Sequence, residues 1–163
     1  MEIGLQLDIA FRLVIAALLG GAIGFEREIH GHPAGMRTHL LVSLGSAAFT
    51  VLGIFFFSSP GVPTDPSRIA AQIVSGIGFI GAGTILQHRG NIRGLTTAAS
   101  LWSVAAIGMA AGAGLVVIAV IGTALILVVL NVFDRVEDVV HRRMIDRPGS
   151  LPDADEGRSD DMA

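Results

Sequence analysis

The chain has 163 residues, 52% of them hydrophobic, with 14 acidic and 11 basic side chains and a formal net charge of -3; its mean hydropathy is +0.67. That balance excludes both the evenly charged surface of a water-soluble globule and a broad basic surface for nucleic acid, so no nucleic-acid partner is expected. Cysteine is absent, which excludes disulfides, thiolate metal sites and a cysteine nucleophile.

Residues 1–8 carry Glu2 and Asp8 but no positive charge, so they lack the basic n-region of a secretory signal and are expected to be retained. Five apolar segments follow, at about 9–25, 39–57, 69–86, 95–111 and 115–133. Asp8 and Arg12, four apart at the entrance of the first, stand in the favourable order for an ion pair. Between the second and third lies "SSPGVPTDPSR", whose prolines cannot continue a helix. Asp65 is placed there as an N-cap and Pro66 as the first helical residue. Residues 94–133 run for 40 positions without an Asp, Glu, Lys or Arg, about twice the helical length that crosses a hydrocarbon core. That stretch must therefore cross twice, with its turn in the glycine-rich "GMAAGAG" at 108–114. After Phe133, "DRVEDVVHRRMIDR" sets Val136, Val139, Val140 and Met144 along one helical face. It reads as a helix on the inner leaflet or as a solvated continuation of the fifth span. Residues 148–163 are polar and acidic and are expected to be disordered.

The expected architecture is an all-α membrane protein with about five transmembrane helices in residues 1–133, an amphipathic helix at 134–147 and an acidic tail. All eleven basic residues are arginine. Arg27, Arg37, Arg89, Arg93, Arg135, Arg142, Arg143, Arg147 and Arg158 fall on one side of the five spans, and Arg12 and Arg68 on the other. By the positive-inside rule the N-terminus is outside and the C-terminus cytoplasmic.

The third span contains "GIGFIG", the G-x-G-x-x-G spelling of a dinucleotide-binding loop. That loop needs a strand, a tight turn and a downstream acid, whereas these glycines sit in an unbroken apolar run with no acid before Asp134. Helix packing explains them better, because helices in lipid associate through small residues that let backbones approach. Ser75, Gly78 and Ala82 fall on one face of the third span and Gly76 and Gly83 on another. With Gly81, these residues predict a central helix packed on two sides. Gly20 and Gly24 repeat the device on the first span, and Gly108 and Gly112 on the fourth.

Polar residues gather at two junctions. "GFEREIHGHPAGMRTHLL" places Glu26, Arg27, Glu28, Arg37 and His39 at the cytoplasmic boundary, and "HRGNIRGLTTAASLW" brings Arg93, Thr96 and Thr97 to the same side. Charges at this depth are costly unless paired, so Glu26 is expected to pair with Arg37 or Arg93, and Thr38 and Thr96 to cap helices. The cluster reads either as a lock on helix ends or as a binding site for an ion, lipid or partner. Glu28, His30 and His32 alternate but lack a fourth ligand, so neither a metal nor a cofactor is expected.

The motifs "GGAIGFEREIHGHPAGMRTHLLVSLGSAAF", "AAQIVSGIGFIGAGTIL" and "RGLTTAASLWSVAAIGMAAGAGL" resemble the MgtC/SapB family of bacterial inner-membrane proteins, in order and nearly without gaps over about residues 13–129. Longer members add a soluble cytoplasmic domain, so this chain looks like a short form. The resemblance implies a multi-pass inner-membrane protein connected with magnesium limitation and, in some pathogens, with survival inside host cells. It marks Glu26, Arg27, Gly35, Arg37, Thr38 and His39, then Arg93, Gly94, Thr97 and Trp102. Some members carry Asn and Cys where this chain has Thr96 and Ser103.

Two functions stay open: a non-enzymatic regulator that binds another membrane protein or a second copy of itself in the bilayer, and a cation transporter. Transporters place ionisable or carbonyl groups near the midplane, often at broken helices. The middles of these spans are dry apart from hydroxyls and Gln72, which favours the regulator. No paired carboxylates or nucleophile with a base occur within the spans, so no enzymatic activity is expected.

Overall fold

The computed structural model describes residues 2–57, 65, 67–88 and 91–145, with side chains as far as Val132. Five helices account for most of them: α1 (Ile3–Ile29), α2 (Met36–Phe55), α3 (Ser67–Ala82), α4 (Leu95–Gly112) and α5 (Val116–Ile145). Two short antiparallel strands, β1 (Leu86–His88) and β2 (Asn91–Arg93), join α3 to α4. The chain divides into the units Met1–Val129 and Leu130–Ala163. In the second unit the described backbone is helical to Ile145. The expected interfacial helix at 134–147 falls largely on this stretch, and the expected disordered tail lies outside the described residues.

The protein is an all-α membrane bundle. α1, α2 and α4 are each long and apolar enough to cross a bilayer, while Ser67–Ala82 and Val116–Val132 are apolar but shorter. The outer surface of the bundle is apolar as well, with Phe11, Leu18, Phe25, Leu41, Phe49 and Phe79 exposed. That pattern suits hydrocarbon, where backbone groups must be satisfied within each helix.

Helix ends follow local chemistry. α1 runs without proline past the expected boundary at Phe25 to Ile29. It stops where Gly31 adopts φ 74°, with Gly31 N–H donating to Glu28 O and His32 N–H to Arg27 O; this 5→2 and 6→1 pair is a Schellman closure. α4 ends the same way at Gly114. The turn therefore falls at Ala113–Gly114, while Gly108 and Gly112 remain inside the helix. At α3, Asp65 Oδ1 accepts from Ser67 N–H at 2.9 Å, as an N-cap does. The third span ends at Ala82 rather than Leu86, because the backbone turns at Gly83 and Thr84 into the hairpin. The hairpin escaped the sequence reading because three-residue strands are too short to show an alternating pattern.

The centre of the bundle is α2, not α3. α1, α2 and α4 pack mutually, and α3 leans on α4 and, less closely, on α2. A Cβ on Gly20 would lie 2.5 Å from Ser43 Cβ, and one on Gly24 2.7 Å from Met36 Cα. From α4, Gly108 packs against the Ser43 backbone and Gly112 against the Ala47 backbone. Gly81 meets Ala98 of α4 at 3.6 Å. Gly76 and Gly78 have nothing within 4 Å, Ser75 is exposed, and Gly83 lies in the turn against the end of its own helix. Within one copy, α3 meets α4 through Gly81 and α2 through Ile69, while the glycines at 76 and 78 meet no neighbour.

Candidate functional site at the shared helix ends

The C-terminal end of α1 meets the N-terminal ends of α2 and α4, and the polar residues of both junctions converge there. Glu26 and Arg27 lie inside α1 and are buried, Arg27 completely. Arg27 Nε donates to Glu26 Oε2 at 2.6 Å and Nη2 to Oε1 at 3.0 Å, a forked pair between adjacent residues. His30 Nδ1, one turn on, donates to the Glu26 carbonyl at 2.8 Å and lies 3.2 Å from Oε1. The expected partners, Arg37 and Arg93, are both exposed, and neither pairs with Glu26. Arg27 takes their place, because α1 continues past the cluster instead of ending before it and carries both residues inward.

Glu28 has a separate task. Its Oε2 accepts the Met36 N–H at 2.8 Å, taking one of the unpaired donors of the first turn of α2. Gly35 precedes that turn and supplies no side-chain cap. A Cβ at Gly35 would approach Glu28 Oε2 to 2.8 Å, so the glycine makes room for a carboxylate delivered from α1. Thr38 is therefore not the N-cap of α2 but lies half-buried within it.

His39, fully buried, links the helices. Its Nδ1 lies 3.0 Å from the Gly35 carbonyl, which can only accept, so Nδ1 carries the hydrogen. Its Nε2 lies 3.0 Å from Ser100 Oγ, and the Ser100 hydroxyl also reaches the Thr97 carbonyl at 2.9 Å. Thr97 and Ser100 on α4 are thereby drawn into one buried network with α2. One turn deeper, Ser43 Oγ donates to the Ala16 carbonyl of α1 at 2.7 Å. The start of α4 is set by Gly94, whose φ of 90° suits only glycine and whose missing side chain admits the Thr84 carbonyl. Gly94 is the N-cap residue, so Thr96 is exposed in the first turn and caps nothing.

Sequence reasoning missed Ser43, Ser100 and the capping role of Glu28. Ser43 stands four residues after His39 and Ser100 three after Thr97, so the helical spacing was the available signal. It also missed the grip of Arg12 at the far end of the bundle. Arg12 pairs with Asp8 at 2.7 Å as expected. It also donates to the Gly112 carbonyl at the end of α4 at 3.2 Å and lies 5.6 Å from the Phe55 ring centre. Among the described residues no three His, Cys, Asp or Glu side chains come together as a metal-ligand set. Glu28 and His30 are each turned to other partners.

The model of the MgtC family matches residues 13–139. The chain is 49% identical over 130 residues to an Escherichia coli K12 protein named "Putative magnesium transporter YhiD", covering 77% of this chain and 60% of the relative. It is 51% identical over 114 residues to "Protein MgtC" of Brucella abortus strain 2308, covering 70% and 46%. It is 40% identical over 147 residues to "Protein SrpB" of Synechococcus elongatus, covering 84% and 81%. The chain thus spans 60% or less of the length of the first two relatives. No solved structure matches it significantly. With the family model covering the bundle and the polar helix junctions alike, the chain is a member of the MgtC family.

Proposed function

We propose that this chain is a magnesium-related, multi-pass inner-membrane protein that modulates other membrane proteins, with its N-terminus outside, and that it catalyses no reaction. One observation supports the modulator reading. Among the described residues of Met1–Val129, ionisable side chains occupy the two ends of the bundle, and the stretch between Arg12 and Glu26 on α1, α2 beyond His39, α3 beyond Arg68 and α4 contain none. Of the hydroxyls between the ends, Ser43 donates to the Ala16 carbonyl and Thr50 to that of Ser46. A path for a divalent cation needs oxygen ligands near the midplane. In this reading the buried network at the helix ends fixes the relative positions of α1, α2 and α4 and so shapes the surface offered to a partner. The link to magnesium rests on the name of the Escherichia coli relative. Intracellular survival in a host extends the family resemblance.

The second reading, a magnesium or other cation transporter, is favoured by that same name. Magnesium flux into proteoliposomes containing the purified chain separates the two, with empty vesicles and Glu26→Gln as controls. No flux above empty vesicles from folded, inserted protein is the expected result. Flux that Glu26→Gln abolishes would replace the modulator with a transporter.

A further inference from the structure

We infer that two copies of this chain associate in the bilayer through the outward face of α3, with Gln72 of each copy hydrogen-bonded to Gln72 of the other. The inward side of α3 is engaged: Gly81 meets Ala98, Ile69 reaches Gly53, and Ile77 is buried. The outward side carries Gln72, Ser75, Gly76 and Phe79, which fall within one stripe about 100° wide. All four are exposed, Phe79 at 85%. Gln72 and Gly76 also line an open apolar groove between α2 and α3, walled by Leu41, Phe49, Ile73 and Ile77.

Gln72 decides what covers this face. It lies five residues past Ser67, about 7.5 Å along the helix and inside the apolar stretch. It makes no hydrogen bond to any described residue, and lipid tails offer none, so its amide is left unsatisfied at a cost in free energy. An amide both donates and accepts and is therefore complementary to itself. Copies inserted in one membrane share one topology, so a two-fold axis between them runs along the membrane normal and brings each residue to its counterpart at equal depth. A second copy thus supplies the partner amide by symmetry. Close approach is possible below Gln72, where a Cβ at Gly76 would meet nothing within 4 Å.

The absence of native cysteine makes cross-linking direct. Ser75→Cys and, as exposed controls elsewhere on the bundle, Phe11→Cys and Val117→Cys are oxidised in native membranes. A product of twice the chain mass at Ser75→Cys alone is expected. Equal cross-linking at the controls, or a product of any other mass, would overturn the assignment. Gln72→Leu, which only increases apolarity and leaves folding unthreatened, is then compared with the unaltered chain by single-molecule photobleaching in liposomes across protein-to-lipid ratios. Interhelical hydrogen bonds of the usual strength in lipid correspond to self-association weakened by about threefold to about fifteenfold. Unchanged self-association would sink the role of Gln72, and monomers at every ratio for the unaltered chain would sink the dimer. Neither readout involves magnesium, so the outcome stands apart from the proposed function.

Discussion

Gly24→Ala should separate α1 from α2 at the polar junction. A Cβ there would lie 2.7 Å from Met36 Cα and 2.8 Å from both the Gly35 carbonyl oxygen and His39 Cβ. Ordinary contact begins at 3.4 Å, so the helices must part by about 3.4 - 2.7 = 0.7 Å. Two of the three obstructing atoms are backbone, which cannot rotate away as a flexible side chain would. Overpacking of this kind costs about 1–3 kcal/mol, and the parting also lengthens the hydrogen bond from Met36 N–H to Glu28. Equilibrium unfolding in mixed micelles, titrated with a denaturing detergent, measures the loss. Gly78→Ala is the control, since its Cβ meets nothing within 4 Å and replacing glycine within a helix gains about 0.5–1 kcal/mol. Equal stability of Gly24→Ala and Gly78→Ala would refute the close packing of α1 on α2.

Arg27→Met leaves the Glu26 carboxylate buried without its forked partner and should cost about 3–5 kcal/mol in the same assay, with the double variant Glu26→Gln/Arg27→Met recovering part of the loss. Glu28→Ala should cost about 0.5–2 kcal/mol through the uncapped Met36 N–H, and Glu28→Gln less, because its carbonyl still accepts. Hydrogen exchange at the start of α2 reports both. The hydrogen bonds from Ser67 to Asp65 hold that carboxyl below its usual 3.8. A depressed folded value means that the stabilisation is fully present above the unfolded value and disappears as the pH falls through the folded one. Fraying of α3 should therefore appear only on acidification below about pH 4, and Asp65→Asn should remove that pH dependence.

The membrane class, the number of helices and the gathering of the two junctions at one end were legible because each rests on long apolar runs broken at arginines. The pairing of Glu26 was not. Side chains of adjacent helical residues point about 100° apart, so sequence spacing gives no sign of the Arg27 partner that α1 brings to Glu26 in a buried corner. Thr38 and Thr96 have the chemistry of caps, yet Gly35 and Gly94 hold those positions because the Glu28 side chain closes on the first and the Thr84 backbone on the second. Small residues announced tight packing at Gly20 and Gly24 and also at Gly76 and Gly78, but a sequence does not say which face of a helix meets a neighbour. Contacts across the molecule, such as His39 with Ser100 or Arg12 with Gly112, span 61 and 100 residues and leave no local trace beyond helical spacing.

The separation of the two charged ends has a consequence for the surrounding lipid. Arg12 and Glu26 stand 26 - 12 = 14 residues apart on α1, about 21 Å at 1.5 Å per residue. A typical hydrocarbon core is about 30 Å thick. Glu26 and Arg27, however, are buried and paired with each other, so the exposed charges that bound the apolar run of α1 are Asp8 and Glu28, 28 - 8 = 20 residues or about 30 Å apart, which matches that core. Enclosing the Glu26 and Arg27 pair among the helices thus lets α1 carry ionised groups about 3 Å inside its exposed boundary at Glu28 without deforming the lipid around it.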